Sequence, residues 1–127
     1  MGVWGVGILE NDYAADFLDS YLDSCSIKQL DKILKEVNSS SFIDADVAME
    51  ALVAICIVLS VNNSYCKEEI YKKIEKCNNF NKLSKLLPKA KEALDKIYNS
   101  SSSELYELWQ ESGNFKEWRE LYDKLSS

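Results

Sequence analysis

The sequence predicts an all-α fold: a single compact domain over residues 1–127, with six to seven short helices and a short extended Gly/Trp-containing N-terminal segment. Three observations carry this. From residue 11 onward, apolar residues recur at spacings of three and four, the period of a helix with one buried face. Stretches rich in Asn and Ser, such as 38–41 and 99–103, separate the periodic runs. With 46% hydrophobic and 28% charged residues in 127, the chain can build a core without disulfide or metal support.

Each element has its own signal. Asn11 or Asp12 caps a first helix that turns Tyr13, Ala14, Phe17, Leu18, Tyr21 and Leu22 inward. Ser26 and Gln29 form a capping box ahead of Ile27, Leu30, Ile33, Leu34 and Val37. Asp44 and Asp46 suit the positive end of a third helix running to about Val61. Its run from Ala51 to Leu59 is apolar on every side, so it reads as the central buried helix. A fourth helix is expected over 68–77, ended by Asn78 and Asn79. A fifth covers 83–98, opened or kinked by Pro88, the only proline. The Ser100–Ser103 loop supplies a cap for a helix over 104–111, with Gly113 at its C-terminal stop. Asn114 and Glu117 then box a last helix with Phe115, Trp118, Leu121, Tyr122 and Leu125 inward. At the N-terminus, glycines 2, 5 and 7 surround Trp4 and permit close backbone approach or positive φ. Val6, Ile8 and Leu9 would anchor that segment to the bundle.

Charge excludes several functions. Fifteen basic against twenty-one acidic residues leave a net charge of −6, the wrong sign for a sequence-independent nucleic-acid binder. Residues 1–60 carry −7, residues 61–97 carry +4 and residues 98–127 carry −3. The lysines of the middle segment, from Lys67 to Lys91, alternate with Glu68, Glu69, Glu75 and Glu92 and read as a solubilising face. The absence of histidine removes the commonest general base and metal ligand. Cysteines stand at 25, 56, 66 and 77 without a CxxC pair, so no zinc site, metal or cofactor is expected. An even cysteine count permits two disulfides, but Cys56 reads as a buried thiol, and the lack of a basic, apolar leader suggests a reducing, cytoplasmic setting. No run is long enough to cross a membrane.

Two motifs remain. Gly5-Val6-Gly7 is a poor dinucleotide fingerprint, because Glu10 replaces the third glycine and no strand precedes it. Residues 1–16, MGVWGVGILENDYAAD, resemble the M-G-x-W-G-x-G-x-x-E-N-D-x-A-x-D start of a family of small, mostly bacterial proteins catalogued as a domain of unknown function. Residues 104–118, ELYELWQESGNFKEW, are similar to its second signature, L-W-x-E-S-G-x-F-x-x-W. The resemblance implies a small helical domain without assigned catalytic residues or cofactor.

Trp4, Glu10, Asn11, Asp12, Trp109, Glu111, Asn114 and Trp118 mix aromatic walls with carboxylates, as a sugar or base pocket would. Simpler roles fit the same residues: tryptophans as core anchors, Asn11, Asp12 and Asn114 as helix caps. Asp12, Asp16, Asp19 and Asp23 fall on one face of the first helix, with no Lys or Arg before Lys28. The expectation is a non-catalytic, monomeric binding protein, an immunity or antitoxin-like inhibitor that covers a basic toxin such as a nuclease with this acidic stripe. The alternatives are a housekeeping interaction or scaffold domain and, third, a small-molecule enzyme using carboxylates and tyrosine.

Overall fold

A computed structural model describes residues 5–77 and 80–127. Trp4, Asn78 and Asn79 lie outside the described residues. Among the described residues eight α-helices follow in order: α1 (Asp12–Ser24), α2 (Ile27–Ser39), α3 (Ala45–Leu59), α4 (Ser64–Ile74), α5 (Phe80–Ser84), α6 (Leu87–Ile97), α7 (Glu104–Gln110) and α8 (Phe115–Ser126). A 3-10 turn, Glu75–Cys77, continues α4. The count exceeds the expected six to seven because the fifth periodic stretch divides into α5 and α6, Pro88 lying in the first turn of α6.

The architecture is organised around α3. Every residue from Ala51 to Leu59 is buried, although Ile55, Ile57 and Val58 favour strands by propensity. Burial on all sides overrides that preference, and α1, α2, α4, α5, α6 and α7 all pack against α3. No single helix is long and apolar enough to cross a membrane among the described residues. Around the core, α2 also packs on α6, and α8 closes against α4 and α7.

Side chains distant in sequence secure the helix ends. Asp44 makes no side-chain cap on α3; instead Glu104 Oε1 accepts the Ala45 N–H at 2.7 Å. The segment before α3 is held beside α7 by Ile43 N–H to Ser102 O at 2.8 Å and Glu104 N–H to Ile43 O at 2.9 Å. Lys96 Nζ donates to the Asn38 and Ser40 carbonyls at 2.7 and 2.9 Å, closing the C-terminal end of α2. Asn63 does two jobs while only 3% exposed. Its Oδ1 caps α4 by accepting the Cys66 N–H at 2.9 Å. Its Nδ2 donates to the carbonyls of Lys124, Leu125 and Ser127, gathering the end of α8. That cap starts α4 at Ser64, four residues before the expected Glu68.

Other expectations need correction. Asn114 makes no side-chain cap on α8, and Gly113 does not terminate α7 in a left-handed turn, since no described glycine has positive φ. Ser112 replaces both: its Oγ donates to Trp109 O at 2.7 Å and accepts the Asn114 N–H at 3.1 Å. Residues 5–10 bend and turn rather than run extended. Tyr13 is 40% exposed instead of inward. Cys25 and Cys77 are joined in a disulfide with Cα atoms 5.4 Å apart, a pairing that the even cysteine count permits but the expected reducing setting disfavours. The pairing brings together residues 52 apart in sequence, so spacing along the chain gave no sign of it. Cys25 also ends α1 in the left-handed region at φ 51°, its N–H donating to Tyr21 O, a conformation that the cap and cross-link together hold. Cys56 and Cys66 are free and buried.

Two stability measurements follow. Asn63→Ala should lower the unfolding free energy by about 2–3 kcal/mol, through the lost cap and the lost donors to α8, read as an earlier urea midpoint with an unchanged slope. Cys25→Ser with Cys77→Ser should cost about 2–4 kcal/mol for a loop of this length. Thiol titration of the unfolded, unreduced native chain should find two reactive cysteines rather than four.

Candidate functional site

The two terminal motifs meet in space. Gly5 to Ile8 and Asn11 from one end, and Leu105, Trp109 and Trp118 from the other, line a cavity of ≈ 20 Å³ over Met49 and Leu52 of α3. That volume holds one water at most. The seam is therefore packing, and its centre is Trp118, only 1% exposed. Trp118 stacks on Tyr98 with centroids 4.2 Å apart and on Trp109 at 6.2 Å, and meets Tyr106 edge-on at 5.9 Å. Tyr98 Oη donates to the Trp118 carbonyl at 3.2 Å. Burial holds the Tyr98 hydroxyl well above the usual phenol range, so it keeps its proton.

Glu10 and Asn11 do local backbone work. Asn11 Oδ1 accepts the Ala14 N–H at 2.8 Å and caps α1, while Asp12 is exposed in the first turn. Glu10 folds back over the two glycines: its Oε1 accepts the Gly7 N–H at 3.0 Å and its own N–H donates to Gly7 O at 3.1 Å. A Cβ built on Gly5 would sit 2.6 Å from Glu10 Oε2, and one on Gly7 would collide with Glu10 Oε1. Both glycines serve close approach, not unusual φ. Glu111 is the exposed C-cap residue of α7.

The aspartate stripe is where the sequence placed it. Asp12, Asp16, Asp19 and Asp23 are all exposed, opposite buried Ala14, Phe17, Leu18 and Tyr21. Among the described residues the ion pairs are Asp31 to Lys35 at 3.0 Å and Asp31 to Lys89 at 2.7 Å, so none neutralises the stripe. The hydrogen bonds from Lys89 and Lys35 hold the Asp31 carboxyl below its ordinary value. Tyr13 stands exposed between Asp12 and Asp16.

One polar region escaped sequence reasoning. Tyr122 Oη donates to Asp95 Oδ1 at 2.5 Å, and a cleft of ≈ 300 Å³ opens on either side of this pair. Lys91 lines one cleft, and Asn99 and Arg119, the only arginine, line the other. The hydrogen bond to Asp95, then burial, raises the Tyr122 hydroxyl, so the pair holds its proton on tyrosine. Tyr65 is pushed up to about 12, chiefly by burial. The hydrogen bond with Cys66, then burial, lifts the Cys56 thiol far from its reactive form. These groups suit donation and holding better than nucleophilic attack. No group of three His, Cys, Asp or Glu residues with metal-holding geometry occurs among the described residues. The spacing of Asp95 and Tyr122, on different helices 27 residues apart, left no periodic signal.

Gly7→Ala should cost about 1 kcal/mol by displacing the flexible Glu10 carboxylate into water. In a Glu10→Ala background the same change should cost almost nothing, and a double-mutant cycle of thermal unfolding reads the difference.

Comparison with curated proteins and with solved structures returns no match. The family model described as a domain of unknown function (DUF4259) matches residues 2–121, and with nearly the whole chain covered, the protein belongs to that family.

Proposed function

We propose that the domain is a non-catalytic binding protein, an immunity or antitoxin-like inhibitor that covers a basic toxin, with a nuclease the best-fitting class. The exposed stripe of Asp12, Asp16, Asp19 and Asp23, without an ion-pair partner among the described residues, carries this reading. Like charges at three- and four-residue spacing on a helix repel by a few tenths of a kcal/mol per pair, a cost that an approaching basic surface removes. A nuclease presents cations to its nucleic acid, and an acidic protein complements the same potential. Tyr13, exposed beside the stripe, supplies an aromatic contact of the kind that anchors interfaces. The buried thiol pair and the proton-retaining tyrosines fit a role of holding rather than reacting. The Cys25–Cys77 cystine favours a compartment where disulfides persist over the reducing cytoplasm expected from the sequence.

Asp16→Lys with Asp19→Lys should leave the helical content unchanged, because both side chains are exposed. Association with the basic partner should slow by about tenfold or more at low salt, with a weaker salt dependence. Equal association rates for variant and native chain at two salt concentrations would exclude the stripe as the docking site.

A further inference from the structure

We propose that the edge formed by the loop before α3 and the outer face of α7 is a second part of the docking surface, with Phe42 and Leu108 as apolar anchors for a basic protein. This rests on the inhibitor reading above and locates its contacts beyond the α1 stripe.

Phe42 and Leu108 are 45% and 42% exposed, two of the three large hydrophobic side chains so exposed among the described residues. Exposed apolar side chains rimmed by charge are typical of interaction surfaces. The fold brings the two onto one edge. Ile43 is buried in the core at 2% exposure, while Phe42 before it lies in a bend and is left facing outward. Backbone hydrogen bonds between Ile43 and both Ser102 and Glu104 lay this loop along the start of α7. Leu108 follows Glu104 by one helical turn, and Glu107 and Glu111 flank it on the same outer face.

The edge is rigid as well as apolar. Glu104 reaches across to the Ala45 N–H at 2.7 Å, so the cap of α3 also fixes α7 relative to the Phe42 loop. Contacts held in place before binding cost less entropy to use.

Charge complementarity identifies the occupant. Asp44, Glu107 and Glu111 are exposed around the two anchors. No Lys or Arg occurs between Lys35 and Lys67, or between Lys96 and Lys116. Lys96 beside this loop is taken up by the Asn38 and Ser40 carbonyls at 2.7 and 2.9 Å, while burial, then the negative charges of Asp46 and Glu36, raise the Glu50 carboxyl. An acidic rim repels nucleic acid and anionic membranes alike. The fitting partner is a protein with a shallow apolar recess ringed by Lys or Arg. The rim would steer encounter, and Phe42 and Leu108 would set the dissociation rate.

The test places a photo-crosslinking phenylalanine analogue at position 42, 108 or, as a control on the lysine-rich side, 85 of the full chain in its producing cell. The protein captured is purified and titrated against native chain, Phe42→Ala with Leu108→Ala, Leu108→Glu alone, and Asp16→Lys with Asp19→Lys. The expected result is one basic protein captured at 42 and 108 but not 85. Its affinity should fall at least about tenfold in the double alanine variant through faster dissociation, with melting temperature unchanged. Leu108→Glu should weaken it similarly. Full affinity in both anchor variants, with loss only in the aspartate variant, overturns this inference and leaves the inhibitor reading standing. Capture of acidic proteins only, or of none, at positions 42 and 108 overturns this inference. Failure of the aspartate variant to change any association rate counts separately against the α1 stripe.

Discussion

A helix that is apolar on every face cannot leave a side to water, and α3 is such a helix. From Ala51 to Leu59 it must be enclosed completely, which requires helices above, below and around it. Each buried Leu, Ile or Val in that run contributes about 1.5–3 kcal/mol, and the shell exists to collect this. Most shell helices are short, seven to thirteen residues apart from the five-residue α5, and such lengths are marginal alone. Their ends therefore need external partners. Glu104, Lys96 and Asn63 provide them from across the molecule, so capping and packing here are one problem.

What could be read in advance follows from range. The helical period is a local property, and α1, α2, α3 and α8 came through with their buried faces as expected, Tyr13 excepted. Asn11 and Ser26 cap by bonds that span three residues, and their residue types announced it. The Glu104 cap joins residues 59 apart, and Asp44, locally the better candidate, hid it. Ser112 took over from Gly113 and Asn114 by satisfying two backbone groups with one hydroxyl, an economy that propensity rules do not encode. The glycine–glutamate turn was within reach. A carboxylate three residues after a glycine can accept that glycine's N–H, a contact of the same short range as the Asn11 and Ser26 caps.

The same division applies to the candidate site. The acidic face of α1 was legible because four carboxylates on one helix face need only helical geometry. The tryptophans were ambiguous, because a large aromatic suits a core and a binding wall equally. Only the stack of Trp118 between Tyr98 and Trp109 assigns both tryptophans to closure of the bundle. The terminal motifs thus hold each other in place, and the surface charge is left to face outward.

Asn63 has a consequence for how the molecule breathes. Chain ends ordinarily fray independently of interior helices. Here one amide side chain holds the Cys66 N–H in the first turn of α4 and the last carbonyls of α8 together. Opening either end forfeits hydrogen bonds belonging to the other, so the two helix ends form one cooperative unit. Amide protons early in α4 thereby share the protection of the final turn of α8, across 61 residues of sequence.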